Sequence, residues 1–372
     1  MSLKRPVLCR FILSVAALLA ITAAVAAAVG NSVLAGPSLS AAMLCVAGAS
    51  MISPGLRPWS FTIWVSTAVV AGLVFPQWFI GVGDFKFTGL FTPILMLIMF
   101  GMGTTMSLSD FTGVFRMPVG VAVGLLCQFT IMPLLGYAVA IGFGFPPEIA
   151  AGVVLVGVAP SGLASNVMCF IAKANLALSV TITAVASLLS PFLTPWLMKL
   201  LAGQMIEVDA TKMMLNIAKM VVAPILGGLV FHHLVLVRHR WIERFMPMIS
   251  MTGIIAMTVL TVAIGRDNLL KVGGVLILAC LMHNLGGYVL GYFAGRLLRM
   301  NKQDARTVAI EVGMQNCGMV SGIAAALGKV ATLGLAPIIF GPIMNTTASL
   351  LANWWRMHPT QPETDSAPSL NK

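Results

Sequence analysis

The sequence predicts an all-α polytopic membrane protein. Ten core transmembrane helices form two five-helix inverted repeats, each with one broken helix, and an N-terminal hydrophobic extension precedes them. Three observations predict this. Residues of the AVILMFWYC set make up 59% of the 372-residue chain and charged residues only 9%, against roughly 25% charged in a soluble protein. The apolar residues run in continuous stretches, whereas a membrane β-barrel shows short alternating segments. Finally, Gly157-Val-Ala-Pro-Ser-Gly162 has a counterpart in Gly313-Met-Gln-Asn-Cys-Gly318, and Gln128 stands before Gly136–Tyr137 as His283 stands before Gly291–Tyr292. An odd number of spans separates the copies, so they have opposite orientations, and such repeats place a site at midplane between broken helices.

With Gly, Pro and charge as punctuation, the core spans fall near 58–80, 88–106, 114–142, 148–173, 177–202, 211–236, 246–264, 270–297, 305–328 and 332–355. The formal charge of +11 does not point to nucleic acid, because the cations cluster at span ends. Arg238, Arg240 and Arg244 share one loop and Arg296, Arg299, Lys302 and Arg306 another, which marks both as cytoplasmic. Asp84, Glu148, Glu207, Asp209 and Asp267 then lie outside, and the polar tail 356–372 inside. Six cysteines without CxxC spacing indicate neither a disulfide framework nor a metal site. Residues 1–57 leave three readings open: a basic, apolar targeting segment, a single span that puts Lys4 and Arg5 outside against the charge rule, or a hairpin of two spans.

Chemistry concentrates at the two breaks. Glu311 is the one acid deep in an apolar run, and a carboxylate near the bilayer centre costs about 2.5–3.5 kcal/mol on insertion scales. The stretch that follows it, Val312-Gly-Met-Gln-Asn-Cys-Gly318, cannot sustain a continuous lipid-facing helix and suits one interrupted at a polar cavity. In the other break Pro160 and Gly162 interrupt the helical ladder, while Ser161, Ser165 and Asn166 supply oxygens. Together the breaks offer carbonyls, amides, hydroxyls and one carboxylate, an environment for a small alkali cation. The half-helix starts also attract an anion. Ser179 and Thr183 share one helix face, Gln128 is a buried-amide candidate, and Gly287, Gly291 and Gly295 read as a packing ladder. Trp354 and Trp355 read as an interfacial belt.

The stretch Pro160-Ser-Gly-Leu-Ala-Ser-Asn-Val-Met168, followed by Asn175-Leu-Ala-Leu-Ser-Val180, resembles the first crossover of the bile acid:sodium symporter family. Arg306-Thr-Val-Ala-Ile-Glu-Val-Gly-Met-Gln-Asn316 resembles its second. The resemblance runs from about Pro58 to Trp355 and is nearest the bacterial branch of bile acid and pantothenate-precursor transporters. It implies that the broken helices cross, with a panel of 58–106 and 211–264 and a core of 114–202 and 270–355 inside the 58–355 transporter. It also implies two transported sodium ions, the first held by Ser165, Asn166, Ser179, Thr183 and Glu311. The second uses Gln128, Glu311, Val312, Met314 and Gln315. For substrate it implies Ser161, Gly162, Leu163, Asn316, Met344 and Asn345, though Leu163 and Met344 are apolar where relatives often carry polar groups.

The function expected is sodium-coupled symport of an organic anion, a small carboxylate or a bile-acid-like molecule, by alternating access. The alternative is a proton-coupled or uncoupled carrier in which Glu311 titrates. An enzyme is not expected, since HExxH and GxSxG motifs do not occur. The implied partners are the anion, sodium and the lipid bilayer, with no nucleic acid and no obligate protein partner. The expected location is a bacterial inner membrane, or an organellar one if residues 1–57 are a targeting segment.

Overall fold

Apolar residues all round their axes, punctuated by Pro and Gly, give this chain helices that pack on one another and still turn apolar side chains outward. The computed structural model describes residues 4–236, 240–243 and 245–358. Arg238, Arg244 and most of the tail 356–372 lie outside the described residues. Among them, eight helices are long and apolar enough to cross a membrane, and four shorter apolar helices accompany them. The protein is polytopic and helical.

The chain opens with α1 (Lys4–Ala28) and α2 (Ser32–Ile52), joined by a tight turn and packed along each other as a hairpin. α2 rests on α3 (Ser60–Val74), where Ser50 Oγ donates to Ser60 Oγ at 2.9 Å. The span expected over 58–80 ends at Val74, because Pro76 opens a 3-10 turn and a two-residue-per-strand hairpin, β1 (Gly81–Val82) and β2 (Phe85–Lys86), follows. Then come α4 (Phe91–Thr104) and α5 (Leu108–Arg116), the latter started by a Ser107–Asp110 capping box. The helix expected from 114 therefore begins instead at Pro118: proline at the first turn starts a helix cleanly and bars its predecessor from helical backbone.

Next are α6 (Pro118–Gly142), α7 (Pro147–Val158), α8 (Ala164–Ile171) and α9 (Leu176–Ala202). α10 (Ala210–Ile217) and α11 (Ala223–Phe231) join through a π-turn at 218–222. The chain continues through α12 (Arg240–Glu243), α13 (Met246–Ile264), α14 (Arg266–Leu297), α15 (Lys302–Gly313), α16 (Cys317–Ala326) and α17 (Leu335–Met357). α4 packs on α11 and α13; α6 packs on α7, α9, α14 and α15.

The Gly287–Gly295 ladder on α14 lies against α15. A Cβ at Gly291 would sit 3.1 Å from Ala309 Cα, and one at Gly295 3.2 Å from Ala305 Cα. Arg306 is not a loop cation: it is nearly buried, donates to the carbonyls of Trp355 (3.3 Å) and His358 (2.8 Å), and lies over the Trp355 ring. It thereby satisfies orphan carbonyls at the end of α17. Trp355 is covered by this contact and only Trp354 is exposed, so the interfacial pair reduces to one ring.

Candidate cation and anion site at the two helix breaks

The chain breaks after α7 because Pro160 has no N–H and forces Ala159 into extended backbone (φ −73°, ψ 154°). It breaks after α15 at Met314, also extended (φ −108°, ψ 106°). The two breaks meet: Ser161 and Gln315 form an antiparallel bridge, Asn316 N donates to Pro160 O at 2.9 Å, and Gly162 N to Met314 O at 3.3 Å. A buried break leaves helix carbonyls without donors, and side chains supply them. Thr194 Oγ1 reaches Val158 O (2.8 Å), Gln128 Nε2 reaches Ala159 O (2.9 Å), Gln315 Nε2 reaches Val312 O (2.6 Å) and Asn284 Nδ2 reaches Gly313 O (2.8 Å).

Glu311 is fully buried, on the last turn of α15 before the break. Its carboxylate collects three hydroxyls: Ser179 Oγ at 2.5 Å on Oε1, and Ser161 Oγ at 2.6 Å and Thr183 Oγ1 at 2.8 Å on Oε2. Asn166 Oδ1 joins them, 2.8 Å from Ser179 Oγ and 3.3 Å from Thr183 Oγ1. Ser179 and Thr183 each own one proton yet each faces both Asn166 Oδ1 and a carboxylate oxygen, so acceptors outnumber what these donors can satisfy. Ser165 Oγ closes the group, 3.4 Å from Thr183 Oγ1 and bonded to Gly162 O at 2.7 Å. All five residues expected around the first cation thus converge, and Ser161, expected at the substrate, stands among them.

A second set forms beside it. Gln128 Nε2 also donates to Gln315 Oε1 at 2.8 Å, while Gln128 Oε1 is buried with no partner among the described residues. A buried amide oxygen without a donor, on a residue bonded to Gln315, is uncommon inside a protein and suits a cation. The donors on Glu311 all come from the first group, so the carboxylate lies chiefly with that group.

The expected substrate residues are less tightly joined. Asn316 caps α16 through Met319 N (3.0 Å), and its Nδ2 faces Met99 Sδ at 3.9 Å on α4. Asn345 Nδ2 bonds back to Gly341 O on its own helix, and Met344 O accepts from Tyr288 Oη at 3.1 Å. Gly162 and Leu163 line the first break, Leu163 half-buried. α4 covers the α16 side: a Cβ at Gly322 would strike Leu95. Outside this contact a cleft of about 1010 Å³ opens between the α10 end, with Asp209 and Lys212, and the α7 and α14 ends, with Glu148 and Lys271.

One feature escaped the sequence. Asn284, not its neighbour His283, does on α14 what Gln128 does on α6, donating to the carbonyl at the end of the next helix. His283 instead contacts Met132 O at 3.1 Å. The signal was a register one residue off, since both pairings match Gln128 nearly equally.

Similarity searches find relatives among sodium-dependent transporters. A family model described as the Sodium Bile acid symporter family matches residues 92–272. An uncharacterized sodium-dependent transporter of Bacillus subtilis, YocS, is 38% identical over 297 residues, 80% of this chain and 90% of the relative. The probable sodium/metabolite cotransporter BASS1, chloroplastic, of Arabidopsis thaliana is 33% identical over 80% of this chain and 73% of its own. The ileal sodium/bile acid cotransporter of Oryctolagus cuniculus is 33% identical over 62% of this chain and 68% of its own.

Proposed function

The chain belongs to the sodium bile acid symporter family, a family of transporters and not of enzymes, and on that footing we propose that it carries an organic anion across a membrane together with sodium. The observation that carries this reading is the buried Glu311 carboxylate among hydroxyl and amide oxygens in excess of their protons. A hard monovalent cation in that group neutralises the carboxylate and completes the oxygens' coordination. We assign the first sodium to Ser161, Ser165, Asn166, Ser179, Thr183 and Glu311. The second goes to Gln128, Gln315 and the carbonyls of Val312 and Met314, with Glu311 supplying long-range charge.

In this reading the ten core helices are α3, α4, α6, the broken pair α7–α8, α9, the pair α10–α11, α13, α14, the broken pair α15–α16, and α17. The matched bonds of Gln128 and Asn284 support an inverted repeat of five and five. α3, α4, α10–α11 and α13 form the panel, and the rest the core. Sodium tightens the crossed breaks. The half-helix N-termini, with Gly162, Leu163, Asn316, Met344 and Asn345, then receive the substrate's carboxylate. Separation of α4 from α16 uncovers Asn316, so access alternates as the panel moves against the core. The Bacillus relative favours the bacterial branch, and by analogy to that branch a small carboxylate is the preferred substrate.

Two sodium ions predict a sigmoidal dependence of uptake on sodium, with a Hill coefficient of about 2 in wild type. Gln128→Leu removes the unpartnered oxygen and lowers the coefficient to about 1 while uptake persists. A coefficient of about 1 in wild type contradicts the second site.

A further inference from the structure

We infer that Asp304 and Asn175 form a latch that sets the register of α9 against α15 and so positions the sodium group around Glu311; this rests on the sodium reading above. Asn175, Ser179 and Thr183 recur every four residues on α9 and share one face. Asp304, Thr307 and Glu311, spaced by three and then four residues, likewise share one face of α15. The faces meet rung by rung. Asn175 Nδ2 donates to Asp304 Oδ1 at 2.8 Å, Asn175 N donates to Thr307 Oγ1 at 2.9 Å, and Ser179 and Thr183 reach Glu311. Each partner is anchored in turn. Asn175 Oδ1 caps α9 through Leu178 N (3.1 Å), and Asp304 exchanges bonds with Asn301, the cap of α15.

A matching contact lies at the start of α7. Glu148 there bonds Lys329 and, at 2.6 Å, Thr332, in the loop after α16. Glu148 and Asp304 stand as far apart in sequence as Gly157 and Gly313. Each broken helix therefore begins with an acid tied to the chain that follows the other break. Only the Asp304 contact lies on the two helices that carry Ser179, Thr183 and Glu311. The pair at Glu148 is partly exposed and joins no residue of that group.

A one-residue slip, or a shift of about 1 Å between α9 and α15, takes both hydroxyls out of hydrogen-bond range of the carboxylate, and supporting contacts of this kind govern cation affinity by about 10–100-fold. Asp304 and Asn175 act as positioning residues, since neither touches the cation group.

The test is binding of radioactive sodium to the purified full-length protein, with melting in sodium-free choline buffer measured alongside. Asp304→Ala, and Asn175→Ser, which keeps a helix-capping oxygen but loses the amide donor, are expected to weaken sodium binding about tenfold with melting nearly unchanged. Asp304→Asn, which keeps an acceptor oxygen, is expected to bind within about twofold of wild type, and Glu148→Gln likewise. Wild type that binds no sodium overturns the symport reading and the latch with it. Wild-type binding that both disruptive variants retain overturns the latch alone, as does failure of Asp304→Asn to restore it. Loss of folding in both disruptive variants, with Glu148→Gln folded, also overturns it, because the contact would then serve assembly and not the site.

Discussion

Glu311→Ala is expected to abolish sodium binding and sodium-stimulated uptake, lowering both by more than about 100-fold. Removing one partner of a buried charge pair costs about 3–5 kcal/mol, because the other charge stays buried and uncompensated. Here that other charge is the cation, and Ser161, Ser179 and Thr183 would offer it only neutral oxygens. Glu311→Gln preserves shape but turns two acceptors into one acceptor and a donor facing hydroxyls, so it is expected to fail nearly as badly. The alanine variant should still fold, since it relieves a buried carboxylate. Binding within tenfold of wild type in a folded Glu311→Ala protein would remove Glu311 from the cation group.

The second large effect is structural. Gly228→Ala is expected to destabilise the protein by about 3 kcal/mol, whereas Gly227→Ala is neutral or slightly stabilising. The two glycines are adjacent on α11, but a Cβ at Gly228 would lie 2.2 Å from Phe100 O and 2.8 Å from Thr104 N. At Gly227 the nearest atom is a Phe100 ring carbon at 3.8 Å, an ordinary contact. Gly103 on α4 returns the approach, its Cβ position 2.0 Å from Ile225 O. Helices in lipid associate through such backbone proximity, so a methyl at Gly228 prises α4 from α11 inside the proposed panel. In an exposed helix the same change would stabilise by nearly 1 kcal/mol, so the sign itself is diagnostic. Thermal melting of both variants in detergent measures the difference, and equal melting would refute the close packing of α4 on α11.

The two breaks were legible because Pro160, Gly162 and the Gly313–Gly318 stretch oppose a helix wherever they stand, and Glu311 was legible because a lone acid in an apolar run has few uses. Rotation about each helix axis was not legible. Apolar residues occur all round these helices, so periodicity does not say which face of α9 meets α15. For the same reason Ser161 could be placed at the break but not on the Glu311 carboxylate, and the Asn175–Asp304 contact joins helices too distant in sequence for spacing to reveal. Arg306 read as a loop cation because its sequence neighbours are basic, while its partners, the Trp355 and His358 carbonyls, arrive from another helix end. The split between α5 and α6 was available in Met117-Pro118 and was overridden by continuous hydropathy.

Sodium coupling through Glu311 is tested most directly by uptake of labelled small carboxylates into proteoliposomes under three conditions: an inward sodium gradient, equal sodium on both sides, and an inward proton gradient without sodium. Accumulation above equilibrium under the sodium gradient alone is the predicted result. Accumulation driven by the proton gradient and indifferent to sodium would contradict it and make Glu311 a titrating group.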